Sequence, residues 1–314
     1  MKRKYTLITA AICLGTGILI ILVALCWIGF DFTMLNTVEL ESKTMDISAE
    51  VQSVEIFDSL SDVSIVPSSD SLCHVYFKEN ETFSDSITVE NGKLTIRSTA
   101  SRKWYEQIGL HIDNGYSLTV ALPIYSAQPA QPFGTYANYD ALCVQTVSGD
   151  ISVSRQLHIE EVTLYSTSGD IRCEVRTSSL MSALGLTQLG RHVETVSGDI
   201  HISNVGGSGC ITTIFAKSTS GDITISDLQA DTLSAQSVSG DLELSDIEME
   251  SATLKTVSGD IRLALPHTMN FVTKTTSGSV KTPGSSPNEG VCELVTTSGN
   301  IEVYLLTDNM KQAS

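Results

Sequence analysis

A short turn motif recurs along the second half of the chain, and it constrains the fold more than any other feature. Six segments of the form TVSGDI, TSGDI or SVSGDL occur between residues 146 and 261. Their glycines are separated by 20, 29, 23, 19 and 19 residues, and two degenerate copies, TTSGSV and TTSGNI, follow after 19 and 21 more. Repeats near 20 residues predict a solenoid or array, in which each unit buries its apolar face against the next.

Each copy of the motif has the composition of a sharp turn between two short strands. Glycine tolerates positive φ at a tight corner, and the flanking serine and aspartate can hydrogen-bond the exposed amides of the turn. We therefore interpret the glycines and aspartates as structural turn residues. They are Gly149, Asp150, Gly169, Asp170, Gly198, Asp199, Gly221, Asp222, Gly240, Asp241, Gly259, Asp260, Gly278 and Gly299.

The two most regular units, residues 222–240 and 241–259, indicate how a coil would be built. Apolar residues alternate after each aspartate, which places them on one face of a strand. Stacking at about 4.8 Å would join equivalent strands of successive coils around a continuous core. The predicted inward residues are Ile223, Ile225, Leu228, Leu233, Ala235 and Val238 in the first unit, and Leu242, Leu244, Ile247, Ala252, Leu254 and Val257 in the second.

The fold predicted from these repeats is all-β, with a β-solenoid of two or three short strands per coil. Hairpins in an antiparallel sandwich are the alternative, because the same turn would suit a hairpin. The region before the repeats also reads as strands, with an Asn-Gly hairpin signal in ENGK at 90–93, and it is predicted to cap the first coil. Residues 126–140 are predicted to be a loop, and 176–191 an insertion that covers the core or carries a binding surface.

An apolar segment near the N-terminus predicts one transmembrane helix. Leu7–Phe30 has 24 residues without a charge, and at about 1.5 Å per residue it can span a bilayer core of about 30 Å. The cations at 2–4 predict a cytoplasmic N-terminus and an extracytoplasmic body. The alternatives are a cleaved signal peptide and a lipoprotein cleavage box at LVALC, where Leu25 precedes Cys26 instead of Gly or Ala.

The predicted localisation is therefore the cell membrane, with a single pass. The chain is predicted to comprise five parts: a basic cytoplasmic N-terminus at 1–6, the transmembrane helix at 7–30, a β-rich lead-in and capping region at 31–140, the solenoid repeats at 141–306, and a flexible tail at 307–314.

The net charge and the absence of known catalytic motifs restrict the classes of function that this chain can have. The net charge of −17, with 36 acidic and 19 basic residues, argues against nucleic acid as a partner. The nucleophile elbow, the HExxH zinc motif, the phosphate loop and the dinucleotide fingerprint do not occur in the sequence. We therefore expect no catalytic residues, no cofactor and no small-molecule substrate. The sequence does not decide whether a disulfide bond forms among the five cysteines outside the apolar segment, which are Cys73, Cys143, Cys173, Cys210 and Cys292.

The repeated aspartates also suggest a calcium ladder. Stacked carboxylates about 5 Å apart would repel one another, and a hard cation would relieve that repulsion. However, each coil offers one carboxylate, the last two copies carry Ser279 and Asn300 instead, and the G-G-x-G-x-D pattern of calcium solenoids is absent from the sequence. The sequence therefore predicts no metal site, with the calcium ladder as the alternative.

The membrane segment, the lead-in ending in LTVALP and the repeated SGDI units resemble a bacterial family of β-strand-repeat domains described as putative adhesins of unknown function. The resemblance covers roughly residues 45–305 and is strongest at 146–264. It implies a β-repeat protein of the cell envelope and no established ligand. The predicted function is a non-catalytic interaction, scaffold or adhesin-like module with an envelope protein or polymer as partner, because regular solenoid faces offer long surfaces suited to extended polymers or proteins. The alternative is an enzyme acting on envelope polysaccharide, which would need clustered carboxylates and a stacked aromatic in one groove.

Overall fold

The computed structural model describes residue 17 and residues 40–79, 83–100, 115–125, 137–174, 190–203, 211–287 and 289–306. The chain divides into two compact units, Met1–Leu40 with Arg102–Gly115, and Glu41–Ser101 with Tyr116–Ser314, and every strand belongs to the second. Among the described residues, no helix is long and apolar enough to cross a membrane. Apart from Gly17, the predicted transmembrane helix lies outside the described residues, as do segments 1–6 and 307–314 and most of both insertions.

The described residues of the second unit form 21 strands. The strands are β1 Glu41–Ile47, β2 Ser53–Phe57, β3 Asp62–Pro67, β4 Cys73–Glu79, β5 Phe83–Glu90, β6 Lys93–Ala100, β7 Ser117–Leu122, β8 Asn138–Thr146, β9 Ile151–Val153, β10 His158–Ser166, β11 Ile171–Glu174, β12 Gly190–Thr195, β13 Ile200–Ser203, β14 Ile211–Lys217, β15 Ile223–Gln236, β16 Leu242–Lys255, β17 Ile261–Leu265, β18 Asn270–Lys274, β19 Val280–Lys281, β20 Val291–Val295 and β21 Ile301–Leu305.

Successive repeats stack in parallel, one above the other. We call each coil a rung: one strand on a first face, a turn, and one strand on a second face. β15 and β16 bend so that each contributes to both faces, and they pair in register from Ile223 opposite Leu242 to Gln236 opposite Lys255. This parallel pairing confirms the predicted β-solenoid and excludes the antiparallel hairpin sandwich for the repeats.

The rungs are out of sequence order at both ends of the stack. On the first face the spatial order is β6, β2, β8, β10, β12, β14, β15, β16, β20, β18. The second face has the matching order β7, β3, β9, β11, β13, β15, β16, β17, β21, β19. The β2–β3 rung therefore lies between β6–β7 and β8–β9. In the same way, β20–β21 lies between β16–β17 and β18–β19. The stack also begins well before the predicted boundary at residue 141.

Antiparallel strands lie at the N-terminal end of the stack. β4 pairs with β7, β1 pairs with β4, and β5 pairs with β6. The turn between β5 and β6 has positive φ at Asn91 (53°) and Gly92 (76°), as the Asn-Gly signal predicts. At the opposite end, β18 and β19 each pair with one neighbour among the described strands, and Val280 of β19 is 44% exposed.

The core consists of aliphatic columns that run along the stack. One column on the second face continues through eight rungs with side chains at most 1% exposed, because parallel register places equivalent residues above one another. Burying each such side chain contributes about 1.5–3 kcal/mol. The column comprises Val63, Ile151, Ile171, Ile200, Ile223, Leu242, Ile261 and Ile301, and Val280 extends it into the end rung.

Two residues predicted to point inward do not. Val238 and Val257 are 47% and 49% exposed, because the chain has already entered the turn and the preceding residues, Ser237 and Thr256, point inward instead. The other ten predicted inward residues of these two units are buried. The structure adds Ala230 and Met249 to the inward set.

A charged side chain occupies one inward position. Arg191 on β12 lies in register with Val162 of β10 and Ile214 of β14, both of which are fully buried. Its guanidinium donates to the carbonyl oxygens of Ile159, Glu160 and Gly190 at 2.7–3.0 Å. Burial lowers the pKa of Arg191 from its usual range. Backbone carbonyls thus replace a carboxylate partner for this arginine.

Candidate functional site

The motif glycines lie along one edge of the stack because neighbouring rungs approach one another closely there. A Cβ on Gly240 would lie 2.0 Å from the carbonyl oxygen of Gly221, and a Cβ on Gly259 would lie 2.0 Å from that of Gly240. The glycines of the six complete motifs do not have positive φ, so the conformational reason given for them above is wrong. Glycine is required because backbone of the adjacent rung occupies the place of a side chain.

The motif aspartates form a ladder of hydrogen bonds along the same edge. Each Oδ1 accepts the backbone N–H of the equivalent residue in the next rung, at donor–acceptor distances between 2.7 and 2.9 Å. One carboxylate oxygen of every ladder aspartate is thus engaged by the backbone. The ladder runs from Asp62 through Asp150, Asp170, Asp199, Asp222, Asp241, Asp260 and Asn300 to the amide of Ser279.

A row of hydroxyl groups secures each turn from the inside. Thr256 donates to the carbonyl oxygen of Gly240 at 3.0 Å, and Ser237 donates to that of Gly221 at 3.1 Å. Because the side chain is inside the stack, this bond satisfies a carbonyl that water does not reach easily. The same bond is made by Ser166, Thr195, Ser218, Thr275 and Thr296.

The outer surface of the stacked turns is a continuous ridge of β-branched side chains. Seven of the motif serines donate their N–H to the carbonyl oxygen of the residue that precedes the serine in the neighbouring rung, as in Ser239 to Thr219 and Ser258 to Val238, both at 2.9 Å. The valines of this row are 41–54% exposed. We call this row the turn ridge; it comprises Val147, Thr167, Val196, Thr219, Val238, Val257, Thr297 and Thr276.

A shallow groove of about 590 Å³ runs beside the ladder on the second face. It is lined by five ladder aspartates, by Arg172 and His201, and by Ser, Thr and Ile side chains. Phe, Tyr and Trp are absent from the described residues that line it. The groove therefore has the carboxylates that the polysaccharide-enzyme alternative needs, and it lacks the stacked aromatic.

A further copy of the turn, which was not predicted from the sequence, lies before the six motifs. Residues 58–62 occupy the turn position of the β2–β3 rung, and a Cβ on Gly149 would lie 1.8 Å from the carbonyl oxygen of Ser61. Asp58 stands where other rungs have serine or threonine, and its Oδ1 accepts the amides of Leu60 and Ser61 at 2.7 Å. SDVSIV at 61–66 is the signal, because it follows the SGDI pattern with serine in place of glycine.

Cysteine chemistry is limited in the described part of the chain. Cys73, Cys143, Cys173 and Cys292 are free thiols, and Cys210 lies outside the described residues. Burial raises the pKa of Cys73 and Cys292 to about 12 and that of Cys173 to about 11. These three thiols therefore remain protonated and unreactive at neutral pH. Among the described residues, no three His, Cys, Asp or Glu side chains converge as a metal-ligand set.

Several solved structures align with most of this chain at low sequence identity. A putative adhesin from Bacteroides fragilis is 13% identical to this chain, with a TM-score of 0.44, and aligns over 84% of this chain and 97% of its own. A putative adhesin from Parabacteroides distasonis is also 13% identical, with a TM-score of 0.42, and aligns over 86% of this chain and 98% of its own. A protein of P. distasonis named a putative lipid binding protein is 16% identical over 84% of this chain and 97% of its own, with a TM-score of 0.41.

One family model matches most of the chain. No curated protein matches it with significant similarity. The family described as Toastrack DUF4097 matches residues 51–303, a range that begins before β2, ends within β21 and includes every motif glycine. The resemblance to a β-strand-repeat family of putative adhesins is thereby confirmed, and the chain belongs to the Toastrack DUF4097 family.

Proposed function

We propose that this protein is a non-catalytic interaction module of the cell envelope, anchored in the membrane by residues 7–30 with its solenoid on the extracytoplasmic side. The turn ridge is the surface that binds an extended envelope polymer or protein. Sequence charge and hydropathy support the anchor and its orientation, as argued above.

The in-register turn ridge is the observation that carries this proposal. Each of eight rungs presents a β-branched side chain and a serine at the same position of its turn. The surface therefore repeats at about 4.8 Å along its length. An extended partner with its own short repeat can make the same contact many times on such a surface. The net charge of −17 favours a neutral or cationic partner over an anionic polymer.

The same geometry favours binding over catalysis. Each ladder carboxylate has its Oδ1 engaged by a backbone amide of the next rung, which fixes it in a structural role. A glycoside-cleaving site needs two carboxylates placed on either side of a bound sugar. A row of carboxylates along one edge, beside a groove without a stacked aromatic, does not provide that arrangement.

Paired substitutions on adjacent rungs test the proposal. We expect Val238→Lys with Val257→Lys to weaken co-sedimentation of the full-length protein with isolated envelope polymer, or its cross-linking to envelope protein, by about tenfold or more, because hydrated charges replace exposed methyl groups. Thr213→Lys with Thr232→Lys is the matched control, since these exposed residues lie in register on the first face. Equal binding by both variants, or shortening of the polymer by the protein, would refute the proposed function.

Protease treatment of intact cells tests the orientation separately. A protease that cannot cross the membrane should digest the solenoid while a cytoplasmic marker stays intact. Protection of the solenoid in intact cells, followed by digestion after lysis, would reverse the proposed orientation.

A further inference from the structure

Three polar side chains interrupt the inward face of the stack near its N-terminal end, on β5, on β6 and directly after β2. β5 and β6 are antiparallel and place Asp85 directly opposite Ser98. β2 and β6 are parallel with Phe57 opposite Arg97, so Asp58 follows beside Ser98. Each of the three lies two residues from an apolar side chain of the core, namely Ile87, Ile96 or Ile56. We call them the Asp58–Ser98–Asp85 cluster.

The cluster contains three buried oxygen atoms without a hydrogen-bond partner. They are Oδ2 of Asp58, Oδ1 of Asp85 and Oγ of Ser98. Asp58 is only 7% exposed, and its other oxygen is occupied by the amides of Leu60 and Ser61. In most other rungs, the serine or threonine in this position donates to a glycine carbonyl. Buried polar atoms without partners are rare in folded proteins and call for an explanation, such as a bound ion.

The charges in the cluster are of one sign. Burial first, and the neighbouring carboxylates of Asp58 and Glu79 second, raise the pKa of Asp85 to about 7. Lys43 is hydrogen-bonded to Glu79, and the guanidinium of Arg97 lies over the ring of Phe57 at 4.0 Å. Above neutral pH, no cationic side chain among the described residues is paired with Asp58 or Asp85.

We propose that Asp58, Ser98 and Asp85 together bind a hard divalent cation. Such ions prefer carboxylate and other oxygen ligands, and Ca²⁺ accepts six to eight of them with water filling the remaining positions. The cation would satisfy the three unpartnered oxygens and neutralise the two carboxylates. It would also join the β5–β6 hairpin to the β2–β3 rung, and so stabilise this end of the solenoid. The site is separate from the ladder, whose carboxylates are already bonded to backbone amides.

Calcium-dependent thermal unfolding of the full-length protein tests this proposal. At pH 8, saturating Ca²⁺ should raise the unfolding midpoint of the EDTA-treated protein by about 5 °C, and calorimetric titration should give one ion per chain. Asp85→Asn should abolish both effects while leaving the Ca²⁺-free midpoint unchanged or higher, because one buried charge is removed. Asp222→Asn, in the ladder, is the matched control and should retain the full calcium shift.

Ser98→Ala provides a second variant, which should weaken Ca²⁺ binding without adding or removing charge. Three results would overturn the proposal. They are a midpoint at pH 8 that does not respond to Ca²⁺ or Mg²⁺, a calcium shift that persists in Asp85→Asn, and a shift that Asp222→Asn removes. The first of these results, combined with a pH dependence of the midpoint that Asp85→Asn removes, would identify the cluster as a site where the two carboxyl groups share a proton. That outcome also refutes the cation site.

Discussion

The turn motif works at the residue scale through three different contacts. The glycine leaves room for the neighbouring rung, the aspartate accepts the next amide, and the inward serine or threonine donates to a glycine carbonyl. Each contact is made between rungs. A single SGD segment therefore gains little from its own sequence, and the motif stabilises the chain only when it is repeated in register.

Replacing one motif glycine should be far more damaging than replacing a glycine in a loop. Gly240→Ala places a Cβ 2.0 Å from the carbonyl oxygen of Gly221, a backbone atom that can move only by separating two rungs. We expect a loss of about 3 kcal/mol or more in the free energy of unfolding, measured by urea denaturation. Gly284→Ala is the control, since nothing lies within 4 Å of its added Cβ. Equal losses in both variants would contradict the close-approach argument.

At the scale of elements, β1 is held less firmly than the rungs. It pairs only with β4 among the described strands, and its residues are exposed except for Ile47. A histidine side chain on β4 contacts the C-terminal end of β1. His74 Nδ1 lies 2.7 Å from Oδ1 of Asp46 on β1, and His74 Nε2 lies 2.9 Å from Oδ1 of Asp70. These hydrogen bonds, to Asp46 first and Asp70 second, raise the pKa of His74.

The attachment of β1 should therefore weaken as the solution becomes alkaline. Because the pKa of His74 is raised in the folded state, the stabilisation is fully present below its usual value of about 6.5 and is lost as pH rises through the raised value. Hydrogen exchange of residues 41–47, corrected for intrinsic rates, should show faster opening across that interval. His74→Gln should remove the pH dependence, and His192→Gln, whose Glu194 partner is on the same strand, should keep it. A pH dependence unchanged by His74→Gln would refute this role.

On the scale of the whole molecule, the stack is a one-dimensional assembly in which the end rung β18–β19 buries less apolar surface than the interior rungs. Val63 and Val280 belong to the same aliphatic column, but Val63 lies in an interior rung and is fully buried, whereas Val280 lies in the end rung and is 44% exposed. We expect Val63→Ala to lower the free energy of unfolding by about 2 kcal/mol and Val280→Ala by less than about 1 kcal/mol. Similar values in urea denaturation would contradict the assigned stack order.

The sequence predicted the interior of the fold well because the relevant information is local. Alternation after each aspartate predicted the inward positions of Ile223 and Leu242, and equal spacing predicted their parallel register. The exchanged end rungs could not be predicted, since residues 275–299 keep the same spacing whichever rung they lie against. The Asp58–Ser98–Asp85 cluster could not be predicted for a related reason: its members lie on β5, on β6 and directly after β2, which are brought together only by folding.

The exchanged rungs restrict how this protein can grow and fold. The β2–β3 rung is enclosed by β6–β7 and β8–β9, and β20–β21 is enclosed by β16–β17 and β18–β19. Duplicating a terminal segment would therefore disrupt an interlocked end, whereas an extra copy between β8 and β17 only lengthens a plain spiral. Variation in length among related chains should accordingly be concentrated in the middle. Neither end of the stack can therefore be completed until a later segment of the chain has paired beside an earlier one.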